Sequence, residues 1–304
     1  MDNLLAIRGL CKHYDGFALR DVDLTVPAGS VVGFIGTNGA GKTTTIKSAL
    51  GSTVPDGGSI ELFGQDVQMI SENRLAELKQ RVGAVFDACS FPYGMRICDI
   101  SDMMACLYTA WDAAGFERCC TEFGLSSDKK VKDLSRGMGM KLMLACALSH
   151  DASLLVLDEA TAGLDPMARD EVLDTLRAFM ADECAAPADS AGSHERGILI
   201  SSHITSDLEK IADYIVCIDA GRIVFATEKD AITETAGIAR CRADQLARLQ
   251  DDGDFDGMRF IAHSYGTDVL VDDRFAFHDR FPDITVDRAT IDEYMSLRLK
   301  GGMR

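Results

Sequence analysis

Residues 36–43 read Gly-Thr-Asn-Gly-Ala-Gly-Lys-Thr, a glycine-rich stretch closed by a lysine and a hydroxyl. The run Val31 to Ile35 before it is strand-like, and Thr44 to Leu50 after it can continue as a helix. Between a strand and a helix, such a segment is a phosphate cradle. The glycines let the backbone curl until its N–H groups face an anion, and the helix N-terminus adds partial positive charge. Gly36, Thr37, Asn38, Gly39, Ala40, Gly41 and Thr44 are expected to wrap a nucleoside triphosphate. Lys42 would bridge the β- and γ-phosphates and Thr43 would offer its hydroxyl to Mg²⁺. A chance glycine-rich turn accounts for the glycines, but not for the strand and helix on either side.

A second chemical feature is Leu154-Leu-Val-Leu-Asp158-Glu159, an apolar run that ends in two carboxylates. Delivered to the end of a buried strand, Asp158 can hold Mg²⁺ directly or through water. Glu159, beside the γ-phosphate, can polarise an attacking water. A strand ending in a solvated acidic turn is common in isolation; a phosphate loop upstream in the same sheet makes that reading the weaker one. The third feature is Leu134-Ser135-Arg136-Gly137-Met138, just before a helix expected from about Met140 to Leu148. A Ser hydroxyl and Gly amides at a helix N-terminus form an anion site. The phosphates of its own chain are already surrounded, so Ser135 and Gly137 are expected to meet ATP bound to a second subunit.

These groups need a frame to hold them. Candidate strands at 4–8, 22–26, 31–35, 82–86, 154–158, 198–201 and 214–218 alternate with helical stretches over the first ~225 residues, the pattern of an α/β domain. Several are apolar on successive residues, as a sheet buried on both faces requires. From Asp87 to His150 the β signal gives way to a helical insert, with Met103, Met104, Leu107 and Tyr108 at helical spacing. Asp165-Pro166 opens a helix to about Met180, Asp as N-cap and Pro at the first helical position. Residues 187–193 read as a polar surface loop. Beyond Thr227 come an acidic turn at Asp251 to Asp256, short strands near 259–262 and 269–271, and a capping box, Thr290 to Glu293, before a last helix.

The net charge of −17 supplies no basic surface for DNA or RNA, so no nucleic-acid partner is expected. The ten cysteines show no metal-binding spacing and read as reduced thiols used as small apolar residues. No apolar run approaches the ~20 residues that cross a bilayer, so a membrane path would have to come from another chain.

Taken in order, these motifs resemble the ABC ATPase family over about residues 4 to 226. The resemblance implies that Tyr14 stacks on adenine and that Gly36 to Thr43 is the Walker A loop. It makes Leu134 to Met138 the counterpart of the LSGGQ signature, Asp158 the Walker B aspartate and Glu159 the catalytic glutamate. Ala162-Gly-Leu-Asp165 resembles the D-loop, which lies near the dimer interface, and His203 matches the switch histidine that contacts the γ-phosphate. Three positions depart from the pattern. Asp87 stands where Gln usually reaches Mg²⁺ and the attacking water, so a carboxylate replaces an amide there. Arg136 and Met138 stand where Gly and Gln are usual in the signature, and Ala160 where Pro often follows the catalytic Glu. The departures are similar to those of single-domain ATPases that serve permeases of the ABC-2 type, including antimicrobial-peptide and bacitracin-resistance exporters.

The resulting expectation is an α/β P-loop ABC-type ATPase domain over residues 1–227, with a helical subdomain at about 88–150. A small α+β accessory domain would follow over 228–304. Two subunits, identical or paralogous, would sandwich ATP and Mg²⁺. Each site would take Tyr14, residues 36–44, Asp87, Asp158, Glu159 and His203 from one chain, and Ser135, Gly137 and Asp165 from the other. The pair would sit in the cytoplasm, on the inner face of the membrane, through a separate multi-helix permease. The rival readings are a soluble ABC-type ATPase that remodels nucleic acid or ribosomes, and a nucleotide-sensing regulatory module. The first would call for a basic surface, tandem halves or a long coiled-coil insertion. The second is opposed by the presence of both Glu159 and His203.

Overall fold

Val31 and Ile35 join one hydrophobic core while Val32 and Phe34, between them, join another. That division explains why residues 31–36 are apolar without alternation: successive side chains leave opposite faces of a strand, and here both faces are covered. The computed structural model describes residues 2–181, 195–251 and 258–302. The polar segment at 187–193 and the acidic residues Asp252, Asp254 and Asp256 lie outside the described residues.

The chain begins with β1 (Asn3–Tyr14), β2 (Phe17–Pro27), β3 (Val31–Gly36), α1 (Lys42–Ala49), β4 (Gly57–Leu62), β5 (Gln65–Asp66), α2 (Glu72–Lys79) and β6 (Val82–Val85). The helical segment follows, with α3 (Ile97–Leu107), α4 (Ala113–Glu122) and α5 (Arg136–Leu148). Next come β7 (Leu154–Asp158), α6 (Pro166–Met180), β8 (Gly197–Ser201), α7 (Thr205–Ile211), β9 (Tyr214–Asp219) and β10 (Arg222–Glu228). The C-terminal part holds β11 (Gly237–Cys241), α8 (Ala243–Asp251), β12 (Phe260–His263), β13 (Gly266–Val271), α9 (Arg274–Arg280), β14 (Thr285–Arg288) and α10 (Ile291–Lys300).

Six strands form the central sheet in the order β10-β9-β3-β8-β7-β6, parallel except for the antiparallel β9–β10 edge. One face packs against the antiparallel sheet β2-β1-β4-β5, with Ile46 of α1 in the same core. The other face is covered by α5, α6 and α7 and also by Ile291, Tyr294 and Leu297 of α10. Helices α3, α4 and α5 enclose a smaller core around Ile100, Phe116 and Leu142. The third sheet, β12-β13-β11-β14, carries its own core with Phe277 of α9 and Phe281 just past its end.

Several expected boundaries move. Helix α5 starts at Arg136, a turn earlier than the sequence suggested, because the Ser135 hydroxyl accepts the Met138 N–H and caps it. Strand β1 runs on to Tyr14, through bulges against β2. Strand β4, apolar only at Ile60 and Leu62, does not stand out in sequence; β10 is apolar from Ile223 to Ala226 and is an element the sequence reading passed over. The expected caps at Asp165 and Thr290 are present, the latter as a reciprocal capping box with Glu293.

Candidate functional site

In an open parallel sheet the loops that follow the strands gather at the strands' carboxyl ends, and ligands bind there. Four such loops meet in this protein. The loop after β3 is the glycine-rich segment, that after β7 carries Glu159, that after β8 carries His203, and that after β6 carries Asp87. The order β3-β8-β7-β6 makes them neighbours, although 36 and 203 lie far apart in the chain. They open on a cleft of about 790 Å³ lined by Asn38 to Thr44, Asp87, Glu159 and His203, with Gly16, Phe17, Arg136 and Ala162 completing the wall.

Helix α1 begins at Lys42 with Gly41 as its N-cap, so no side chain occupies its first-turn N–H groups. An uncapped helix start facing a cleft is suited to an anion. Gly36 cannot be replaced without moving the loop, since a Cβ there would come 2.2 Å from the Ile218 carbonyl oxygen. The Thr37 hydroxyl donates to Asp219 at 2.9 Å and ties the loop to the end of β9. Lys42 is buried; its Nζ donates to the carbonyls of Gly36 at 2.8 Å and Thr37 at 3.3 Å and lies 3.5 Å from Glu159 Oε1.

Glu159 takes a left-handed backbone conformation, φ +54°, rare for a residue with a side chain. Its N–H donates to both the carbonyl and the hydroxyl of Ser201, each at 3.1 Å. The same hydroxyl donates to Asp158 Oδ1 at 2.6 Å. Ser201 therefore aligns both acidic residues from the neighbouring strand, a role that sequence reading missed. The other Glu159 oxygen meets His203 Nδ1 at 2.5 Å. An ionised carboxylate only accepts, so Nδ1 carries the proton in this contact. Lysine, glutamate and histidine thus form a chain across the cleft.

Not every expected residue lies in the lining. Tyr14 is half exposed at the end of β1, paired across the hairpin with Phe17, and Phe17 rather than Tyr14 lines the cleft. Being an aromatic beside Tyr14 in the same hairpin was its only sequence signal. Asp158 is buried behind Glu159. Ser135 and Gly137 sit at the start of α5 outside the lining, and Asp165 caps α6 through Oδ1, which accepts the Ala168 N–H at 3.0 Å.

The donor set suits Mg²⁺, which favours hard oxygens and usually takes one or two protein carboxylates beside substrate phosphates. Thr43 in the first turn of α1, Asp158 at the end of β7 and Asp87 after β6 are all oxygen donors, and among the described residues no trio of His, Cys, Asp or Glu forms a self-sufficient metal cage. The nine described cysteines are free thiols. Burial pushes Cys120 and Cys217 up to about 12, which keeps them protonated and inert.

The family model described as ABC transporter matches residues 19–162. The bacitracin transport ATP-binding protein BcrA of Enterococcus faecalis is 33% identical over 229 residues, 74% of this chain and 69% of that protein. A Nod factor export ATP-binding protein I of Cupriavidus pinatubonensis is 33% identical over 226 residues, 72% of this chain and 64% of its own length. The daunorubicin/doxorubicin resistance ATP-binding protein DrrA of Streptomyces peucetius is 34% identical over 222 residues, 71% of this chain and 62% of its own length. Among solved structures, an ATP-binding subunit of an ABC transporter superposes with a TM-score of 0.64 at 27% identity, covering 75% of this chain and 91% of that one. A dimeric ATP-binding cassette with ADP and phosphate shares the fold at a TM-score of 0.63 and 15% identity, covering 74% of this chain and 98% of that one. This chain belongs to the ABC transporter family, as an ATP-hydrolysing subunit.

Proposed function

We propose that this chain is the motor of an exporter, working as one of two ATPase subunits beneath a separate multi-helix permease. The carrying observation is the chain Lys42–Glu159–His203 at the mouth of the phosphate loop. It supports a site in which Lys42 meets the β- and γ-phosphates and Glu159 orients the attacking water. His203 would hold Glu159 in place and sense the γ-phosphate. Mg²⁺, held by Thr43, Asp158 and Asp87, would neutralise charge on the phosphates. Phosphoryl transfer of this kind depends on positioning and electrostatics rather than on a covalent intermediate. Phe17 and Tyr14, on one hairpin, are the aromatic surface for the adenine.

Ser135, Gly137 and Asp165 are proposed to meet the partner subunit's ATP, since they lie beside the cleft rather than in it. The division at about residue 227 is likewise proposed, the part beyond it serving as an accessory unit. Export is the reading favoured by the printed functions of the relatives, bacitracin transport and Nod factor export among them. Among the described residues no helix is long and apolar enough to cross a membrane, which is why a separate permease belongs to the proposal, and with it a place on the cytoplasmic face of the membrane.

Glu159→Gln tests the assignment. Turnover should fall by about a hundredfold or more while ATP binding is kept. Unchanged turnover would remove Glu159 from the chemistry. The same variant, tagged and recovered from gently solubilised native membranes with ATP and Mg²⁺, should bring a multi-helix membrane protein with it; recovery of soluble partners alone would reject the transport role.

A further inference from the structure

The loop that carries Glu159 and the loop that carries His203 are joined twice. At the mouth of the cleft His203 Nδ1 meets Glu159 at 2.5 Å. Behind that contact Arg169, near the start of α6, spans the same two loops. Its Nη2 donates to the Leu164 carbonyl at 3.4 Å, and its Nε lies 3.6 Å from Oδ2 of Asp207, in the first turn of α7. Asp207 is buried and Arg169 half-buried. Among the described residues neither Nε nor Oδ2 has a hydrogen-bond partner, so each is balanced by the charge of the other.

Both loops are stiff between their two junctions. In the first, the Ala162 N–H donates to the Glu159 carbonyl at 3.1 Å and the Leu164 N–H to the Thr161 carbonyl at 3.3 Å. In the second, the Ser202 hydroxyl accepts the Ile204 N–H at 2.9 Å, and the Asp207 N–H donates to the Ile204 carbonyl at 3.3 Å. The contacts close a ring. It runs from Glu159 along the chain to Leu164, through the Arg169 guanidinium to the Asp207 carboxylate, back along the chain to His203, and across to Glu159. A displacement of Asp207 therefore reaches His203 through a single backbone turn.

Stability does not account for the pair. Taking a carboxylate out of water costs about as much as its ion pair gives back, and apolar side chains of similar volume often hold a core as firmly. Nor is the pair needed to attach α6 to α7. Further along these helices Asp170 pairs with Lys210 at 2.7 Å, and Arg177 Nη2 donates to the Lys210 carbonyl at 3.3 Å, both at exposed positions. Of these contacts, that between Arg169 and Asp207 is the buried one, and it lies at the end of the helices nearest the cleft.

We propose that Arg169 and Asp207 are a positioning pair for hydrolysis, fixing the spacing of the two loops so that His203 keeps Glu159 aimed at the attacking water. Neither side chain lines the cleft, so nucleotide binding is left to the phosphate loop. The proposal rests on the reading of Glu159 as the group that orients that water.

The test compares Arg169→Met, Asp207→Leu and the two together in the full chain, by urea unfolding, trinitrophenyl-ATP binding and steady-state turnover. Each single change leaves a charge unpaired and should lower the unfolding midpoint, whereas the double apolar change should return it close to the parent. Turnover should stay down by about tenfold in all three, with nucleotide affinity within about twofold of the parent. Stability regained without turnover separates positioning from support of the fold. Arg169→Lys keeps a charge facing Asp207 but cannot reach the Leu164 carbonyl with it; it should fold as the parent and turn over about threefold more slowly. That variant carries the test if the double change does not fold. Parent-like turnover in the double variant or in Arg169→Lys overturns the proposal, as does an equal loss of affinity and turnover. Unchanged turnover in Glu159→Gln would reject the role of Glu159 itself, whereas an inactive Glu159→Gln beside a fully active double variant would reject the pair alone.

Discussion

Glu159 takes a left-handed backbone conformation with its N–H held by both the carbonyl and the hydroxyl of one serine on the neighbouring strand. Ser201 accepts the Glu159 N–H and donates to Asp158, so one side chain fixes the direction of two carboxylates. Strain of this sort costs of order 1–3 kcal/mol and persists where surrounding contacts over-determine it. Ser201→Ala is therefore expected to lower turnover by about tenfold, with ATP affinity little changed, because it loosens the carboxylates and leaves the phosphate loop intact. Steady-state kinetics beside nucleotide binding check this; an equal loss in both would mean that Ser201 supports the fold rather than Glu159. Residues 36–43 and 158–159 were legible as local patterns that chemistry constrains, whereas His203 was singled out only by the family resemblance. Ser201 and Phe17 were not, since a serine at a strand end and an aromatic in a hairpin have many ordinary uses.

Among the elements, the helical segment shows how ends are tied together. His150, just past α5, is buried; its Nδ1 lies 3.0 Å from the Gln80 carbonyl at the end of α2, and its ring stacks on Tyr108 at the end of α3 at 4.0 Å. Burial pushes its pKa down, from 6.5 to about 4, against the opposing pull of the Gln80 carbonyl and Asp151. The unfolded chain thus binds a proton that the folded chain refuses between these values, so stability is complete above pH 6.5 and is lost as pH falls through 4. The melting temperature should fall by several degrees between pH 7.5 and 5, and His150→Phe, which keeps the stacked ring, should flatten the part of that loss due to this residue. An unaltered pH profile in the variant would show that His150 does not contribute. Element boundaries were the least readable feature. Gly137 and Gly139 made 136–139 look unlike a helix, and only the Ser135 cap, visible once the turn is formed, starts α5 there.

At the scale of the whole molecule, the C-terminal part is built into the main core. Ile238, Leu270, Ile291, Tyr294 and Leu297 join the cluster that covers the central sheet, and Tyr294 meets Phe225 of β10 edge-on at 5.1 Å. The Ile291 N–H donates to Glu209 of α7, the helix that follows His203. Arg240 organises the other side of the unit, pairing with Asp268, Asp287 and Glu293. Leu297→Ala should cost about 2–5 kcal/mol of stability in urea unfolding, as for other large-to-small core changes, in a transition shared by the whole protein. A separate early transition confined to the C-terminal part would show instead that it unfolds independently.

The α/β class, the phosphate loop, the paired carboxylates and the absence of a membrane-crossing run among the apolar segments all follow from residue type and short-range spacing, and local backbone geometry dictates those. The tertiary structure alone decided which strands are neighbours, and hence that loops far apart in the chain share one cleft. It also decided that Phe17 rather than Tyr14 lines that cleft and that Ser201 aligns two carboxylates. These relations depend on sheet order and on side-chain packing between distant segments, which no spacing within a single segment encodes.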